Sequence, residues 1–561
     1  MTALIAGLIL AVSASALPAP APTLKALDLP GTPAFVKAAK DVIAVRFLLD
    51  PSQASGDGLF DDAAVAPSFS RKTVSALTLR LDQDLAALRG MPWRGWAVDR
   101  QIDWRWIYAA AEDARRQLAV EKLYTHRPAA WLEPLANDYI ALVTYAPQRG
   151  DLRQKLTAQI PALVAEMRAV CVKPTSRDVT TADGVIKGLQ STLAAEPASP
   201  ERDAAAKALA SYVEELKALK NPPEFAVIGE ANYEWRVKHA LLLPWTPRQL
   251  LSLAQRELAD VDAAMAELRP KVSTSPAPTD AQKELAKTLT QEKLLGLYDD
   301  IARDDRAFLD KSDLMTIPAG VGPIRARPTP EAMIPLTGDG GSMNPPPTIG
   351  DSNVGWWNVE HFKPEWTEQK RLEMILGAQD QKVTDMGPYA AHEGVPGHHL
   401  QLSIARLNAN PIRSLLNDNS FVEGWALYAE WILWQAGGLG PSPEAEYQTL
   451  DSWRFRIRRI FYDVHVESGD WSLQDGGDFK SAARRGKGSV DEDVLRTINW
   501  PGQLIGYFSG KMQILALKDA YKKKLGAAYT ERKFHDALLA EGSIPVALIR
   551  AKLLGEPVPG I

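Results

Sequence analysis

Apolar residues recur at three- and four-residue spacing, with charges between them, over Arg71–Leu88, Trp104–Leu123, Pro247–Leu268 and Asp280–Phe308. That period matches the α-helical turn, so each stretch can bury one face and leave the other in water. Thr246-Pro247 reads as a helix start, an N-cap hydroxyl followed by a proline whose missing N–H costs nothing in the first turn. Runs of alternating β-branched residues are scarce, and only Thr316–Arg325 and Met333–Leu336 read as short strands or extended loops. The pattern predicts a mainly α fold. With 561 residues the chain exceeds one simple core and has length for two lobes or one large helical body.

Between Pro318 and Pro364 prolines, glycines and short polar residues crowd together, as in Gly338-Asp339-Gly340-Gly341 and Asn344-Pro345-Pro346-Pro347. The texture predicts a long irregular connection. A boundary near residue 330 separates an N-terminal helical region, 17–330, from a region carrying the chemistry, 331–561.

Composition narrows the function. The net charge of -5, with no basic stripe, argues against nucleic-acid binding. The single cysteine, Cys171, excludes an internal disulfide and any cysteine-rich metal cluster, and its apolar setting predicts a buried, inert thiol. Trp93, Trp96, Trp104 and Trp106 are expected in the core. At the N-terminus, the apolar run from Leu4 to Val12 ends at Ala14-Ser15-Ala16 and a Pro/Ala-rich exit. This predicts a secretory signal over residues 1–16, although no Lys or Arg precedes the run. The run is too short to span a membrane, no cysteine follows it that could carry a lipid, and no other stretch is long and apolar enough to cross. The expected location is periplasmic or secreted.

Three of the eight histidines fall within residues 392–399, and Glu393 follows the first. Zinc takes neutral imidazoles and carboxylates as ligands and keeps a position open for water when it is catalytic. In the common His-Glu-x-x-His arrangement the two histidines share a helix face four residues apart. Here Pro396 stands at that fourth position. His398, six residues after His392, would lie about 240° around a straight helix, on the wrong face. Pro396 and the flanking Gly394 and Gly397 forbid a straight helix, and a bulge or break would return His398 to His392. His399 is the rival: it regains nearly the same face, but about 10 Å further along an unbroken helix. A third ligand is expected from the largely apolar helix Ser420–Glu430, where a buried carboxylate needs a partner or a metal. Glu423 and Glu430, two turns apart, are its candidates.

With these residues in view, the chain resembles bacterial proteins long catalogued as a domain of unknown function and regarded as zinc metallopeptidases. Residues 392–401 match their His-Glu-x-x-Pro-Gly-His-His-Leu-Gln motif, and residues 421–428 match Phe-Val-Glu-Gly-Trp-Ala-Leu-Tyr. Arg459 to His465, Pro501-Gly502-Gln503 with Tyr507 and Gly510, Gly229 to Tyr233 and Thr246-Pro247 extend the likeness over most of the chain. More remotely, it is similar to helical gluzincin peptidases of the thimet-oligopeptidase and thermostable-carboxypeptidase kind. The two-residue insertion carrying Pro396 is a departure from them. The resemblance implies a two-lobed helical body with an active-site cleft, one Zn²⁺ held by His392, His398 and Glu423, and short peptides as substrates. It implies carboxypeptidase or oligopeptidase action, with Glu393 as general base and Tyr507, or second His465, as donor to the oxyanion. Arg456 and Arg459 are candidates for pinning a substrate carboxylate. A zinc hydrolase of non-peptide amides or esters, and a catalytically silent secreted binding protein, are the alternative readings.

Overall fold

The structure, a computed structural model, describes Leu24 and residues 27–60, 63–272, 277–379, 384–481 and 489–561. The expected signal segment lies outside these residues. Among these residues the fold is mainly helical, running from Pro33–Leu49 to Val546–Leu554 with three short strands between. Among the described residues no helix is long and apolar enough to cross a membrane.

Local sequence accounts for most helix limits. Pro247–Leu268 begins where expected, in a capping box: Gln249 N–H donates to Thr246 Oγ1 and Thr246 N–H donates to Gln249 Oε1. Its buried stripe of Leu250, Ala254, Val261 and Met265 joins a core with Trp453, Ile457 and Ile460 from the Pro443–Glu467 helix. The stretch Asp280–Phe308 departs from expectation. It is two helices, Asp280–Lys287 and Gln291–Lys311, because Thr279 and Thr290 each cap a new start and the chain turns between them.

Pro318–Pro364, expected as an irregular connection, contains a small sheet of order β1-β3-β2. β1 (Ile324–Pro328) runs parallel to β3 (Gly355–Val359), and β2 (Ser342–Asn344) pairs antiparallel with it. Of Thr316–Arg325 only the last two residues enter β1. Met333–Leu336, expected to be extended, lies instead at a four-residue helix, Ile334–Thr337, with Pro335 in its first turn and Gly338 (φ 88°) at its end. The sheet packs against the segment that carries the candidate histidines. Buried Trp357 on β3 donates from Nε1 to Tyr389 Oη at 2.8 Å, and a side chain at Gly355 would come within 2.4 Å of His399 Nδ1.

The largest hydrophobic core draws side chains from both sides of residue 330, from Phe35, Trp104 and Tyr139 to Trp425, Phe534 and Ile549. Trp93, Trp104 and Trp106 are buried, with Trp93 and Trp104 stacked 4.2 Å apart, and the partly buried Trp96 meets Phe35 edge-on. Cys171 is buried, and desolvation pushes its thiol up to about 12, as an inert thiol requires.

One helix crossing sets up the site. Asn419–Gln435 lies against Ile505–Leu525 with Gly424 facing Gly510. A Cβ at Gly424 would fall 2.4 Å from Gly510 Cα, and one at Gly510 would fall 1.8 Å from the Ser420 carbonyl oxygen. Only glycine at both positions permits this approach, which places Glu423 beside Gln503.

Candidate metal centre

His392 occupies the last turn of Met386–Glu393, where the helix stops at Gly394. The chain passes through a cis Val395-Pro396 bond and restarts a helix at His398, spanning His398–Ala405. The expected break is therefore present. Gly397 folds back so closely that a Cβ would meet the carbonyl oxygens of His392 and Ala391 at 2.0 and 2.2 Å. Trp425 Nε1 donates to the Pro396 carbonyl at 2.8 Å and ties the turn to the Asn419–Gln435 helix.

The break brings His398 back. Its ring lies 4.7 Å from that of His392, with the planes at 88°. Glu423 Oε2 stands 3.2 Å from His398 Nε2 and 3.6 Å from His392 Nε2. One ligand atom from each of His392, His398 and Glu423 falls within 4.8 Å of the others. Glu423 Oε2 is buried and has no hydrogen-bond partner among the described residues. Two imidazole nitrogens and an unpartnered carboxylate oxygen, converging out of water, form a donor set that fits Zn²⁺. Burial pushes the Glu423 carboxyl up, but the close approach of the His398 and His392 imidazoles outweighs it and holds the group well below the usual range.

His399 goes elsewhere. It is fully buried and points toward the sheet, where Nε2–H donates to the Gly322 carbonyl at 3.0 Å. Of the two candidates, the structure brings His398 to the cluster and makes His399 a tie to the segment before β1.

Glu430, weighed with Glu423 as a ligand, lies behind the cluster. Its Oε1 is 2.7 Å from His392 Nδ1, so the two glutamates of one helix take opposite nitrogens of one imidazole. Burial opposes its ionisation, but the His392 hydrogen bond and the Arg456 charge prevail and lower its pKa. Gln503 adds a contact not read from the sequence: its Nε2 donates to Glu423 Oε1 at 3.1 Å, turning Oε2 to the histidines. The motif Pro501-Gly502-Gln503 was the available signal.

Glu393 is buried next to the ligands, and desolvation pushes its carboxyl up to about 7. His398 and Arg456 oppose that rise and Glu423 adds to it. Tyr507 lies with its ring nearly parallel to His392, 5.9 Å away, and its hydroxyl is 3.5 Å from Gln503 Nε2. His465 is not brought to this group. It pairs with Asp470 at 3.3 Å and stacks on Trp471, nine residues and about 13 Å along its helix from Arg456. Arg459 is paired with Asp493 and lies 4.4 Å from the Tyr507 ring, while the carboxylate nearest Arg456 is Glu430, at 4.0 Å. The ligand candidates, Glu393, Glu430, Gln503 and Tyr507 all lie within 331–561.

Fold and site together define a large, mainly helical protein whose buried His-His-Glu group could hold a metal ion. Over residues 51–553 the chain matches the family of bacterial proteins of unknown function DUF885, and it belongs to that family. It is similar in fold to a protein from Shewanella oneidensis described as a lipoprotein of unknown function, with a TM-score of 0.70 and 20% identity, over 94% of this chain and 100% of that one. A protein from Colwellia psychrerythraea, also described as a lipoprotein, gives a TM-score of 0.69 at 16% identity over 93% and 98% of the two chains. No curated protein matches.

Proposed function

We propose that this protein is a zinc-dependent hydrolase of peptide bonds, acting on short peptides in the periplasm or outside the cell. The observation that carries this reading is the convergence of His392, His398 and Glu423, with buried Glu393 following His392 in the same helix. These three residues would hold one Zn²⁺, which when bound polarises a carbonyl group and acidifies water. Glu393 takes the proton of the attacking water and passes it to the leaving amine. Glu430 keeps the proton of His392 on Nδ1 and so leaves the Nε2 lone pair facing Glu423 and His398. Tyr507, whose ring lies 5.9 Å from that of His392, hydrogen-bonds the oxyanion in this scheme. The choice of peptide bonds is supported by the likeness of residues 392–401 and 421–428 to metallopeptidase motifs. The location is supported by the apolar run near the N-terminus and by the solved structures described as lipoproteins.

Elemental analysis of the purified protein, with peptide hydrolysis by the unsubstituted chain and by Glu393→Gln, tests the reading. The expected result is one zinc per chain in both proteins and a rate about 10²–10⁴-fold lower in the variant. Protein without stoichiometric zinc, or a variant that cleaves as fast as its parent, overturns it.

A further inference from the structure

A cavity of about 550 Å³, within the size range of small-ligand sites, opens between the helix that carries His392 and the Pro443–Glu467 helix. Tyr389 and Met386, from the helix that carries His392, form one side, and Ser452, Phe455, Arg456 and Arg458 from Pro443–Glu467 form another. Tyr389 stands one helical turn before Glu393.

The cations here are unequally engaged. Arg454 is paired with Asp451 at 2.5 Å and Lys480 with Asp491 at 2.6 Å, while Arg458, whose Nε is also buried without a partner among the described residues, donates to the Phe479 carbonyl at 2.7 Å and lies 5.3 Å from the Phe479 ring, away from Tyr507. The Arg456 guanidinium donates to Ser452 Oγ at 3.1 Å, and its Nε is buried without a partner among the described residues. Its nearest carboxylate, Glu430 at 4.0 Å, is already engaged by His392 at 2.7 Å. Asp385, the remaining acid of the lining, is exposed. A largely buried guanidinium whose one neighbouring carboxylate among the described residues is 4.0 Å away and held by an imidazole favours an incoming anion that can accept its planar fork. Arg456 also reaches the centre: it lies 5.8 Å from the Tyr507 ring, and its charge acts on Glu393.

We propose that this cavity receives a carboxylate of the substrate, anchored by Arg456, so that the enzyme selects peptides carrying a negative charge close to the bond it cleaves. The inference rests on the peptide-cleaving reading of the centre. The carboxylate is either the free C-terminus, which makes the enzyme an exopeptidase, or an acidic side chain, which does not.

Calorimetric binding to the Glu393→Gln protein distinguishes these, using N-acetyl-trialanine with a free C-terminus, its C-terminal amide, and the amide of N-acetyl-Ala-Ala-Glu. The expected result is that a carboxylate-bearing peptide binds at least about tenfold tighter than the trialanine amide, and that adding Arg456→Gln removes the difference. Preference for the free acid identifies the C-terminus, and preference for the glutamyl amide identifies the side chain. Equal binding of all three peptides overturns the proposal without any substitution at Arg456. So does a preference that survives both Arg456→Gln and Arg456→Lys, the latter keeping the charge but losing the fork. Cleavage by the unsubstituted chain is read separately. Cleavage without carboxylate preference defeats this inference alone, and carboxylate preference without cleavage of any peptide defeats the peptidase reading.

Discussion

Glu430 Oε1 lies 2.7 Å from His392 Nδ1, on the side of the imidazole opposite Glu423. The carboxylate accepts a hydrogen bond from Nδ1–H, which orients the ring and leaves Nε2 facing Glu423. His398 has no counterpart, since its Nδ1 is buried without a partner among the described residues. The two imidazoles are thus held unequally, and His392 depends on Glu430.

Glu430→Gln is therefore expected to lower zinc affinity about 10–100-fold while the protein stays folded. Competition with a chromophoric chelator, with circular dichroism as the control for folding, measures this. Unchanged affinity would show that the hydrogen bond does not position the ring.

His398→Ala and His399→Ala separate the two adjacent histidines. The first is expected to abolish stoichiometric zinc. The second is expected to keep it and to lose about 2–4 kcal/mol of stability through the emptied site and the orphaned Gly322 carbonyl. Elemental analysis and urea unfolding of both variants provide the check, and loss of zinc from the His399 variant would reverse the assignment.

Gly510→Ala places a methyl group 1.8 Å from the Ser420 carbonyl oxygen. The Asn419–Gln435 and Ile505–Leu525 helices must then separate, moving Glu423 from Gln503. A loss of at least about 1–3 kcal/mol is expected, together with weaker zinc binding. Both are read from thermal melts with and without added zinc, and a melt identical to the parent's would mean that the helices do not meet there.

Lys511 is buried, and desolvation pushes its pKa down to about 7 despite the opposing charges of Glu430 and Glu257. An unfolded lysine titrates near 10.4. Between about pH 7 and 10.4 the unfolded chain binds more protons than the folded one, so stability rises with pH across that window. Below about pH 7 both states are protonated and this contribution is flat. Lys511→Met removes the titration. The stability of the parent relative to the variant is expected to rise by a few kcal/mol, to order of magnitude, from about pH 7 to 10. A difference that stays constant over that range contradicts the shift.

Helix limits were legible wherever a local rule set them. Thr246-Pro247 marks its own helix start, and the apolar stripe that follows shows which face is buried. The break in Asp280–Phe308 was less visible because Thr288-Leu289-Thr290 continues the helical spacing while Thr290 caps a new start. The sheet escaped notice because three- to five-residue strands leave no period long enough to count.

The amino-acid sequence alone determined the helical class, the place of the candidate site around residues 392–399, and the expectation of a carboxylate from Ser420–Glu430. Periodicity, residue type and the helix-breaking action of Pro396 are local properties. Tertiary structure decided where the rivals go: His399 turns to Gly322 and Glu430 stands behind His392, while the favoured His398 and Glu423 converge on His392. The direction in which a broken helix resumes depends on what holds the break, here the Trp425–Pro396 hydrogen bond and the packing of His399 against Gly322 and Gly355. The two glutamates differ in role because Gly424 and Gly510, distant in sequence, let two helices meet at their backbones and set Gln503 against Glu423. Neither relationship is encoded in any short stretch of chain.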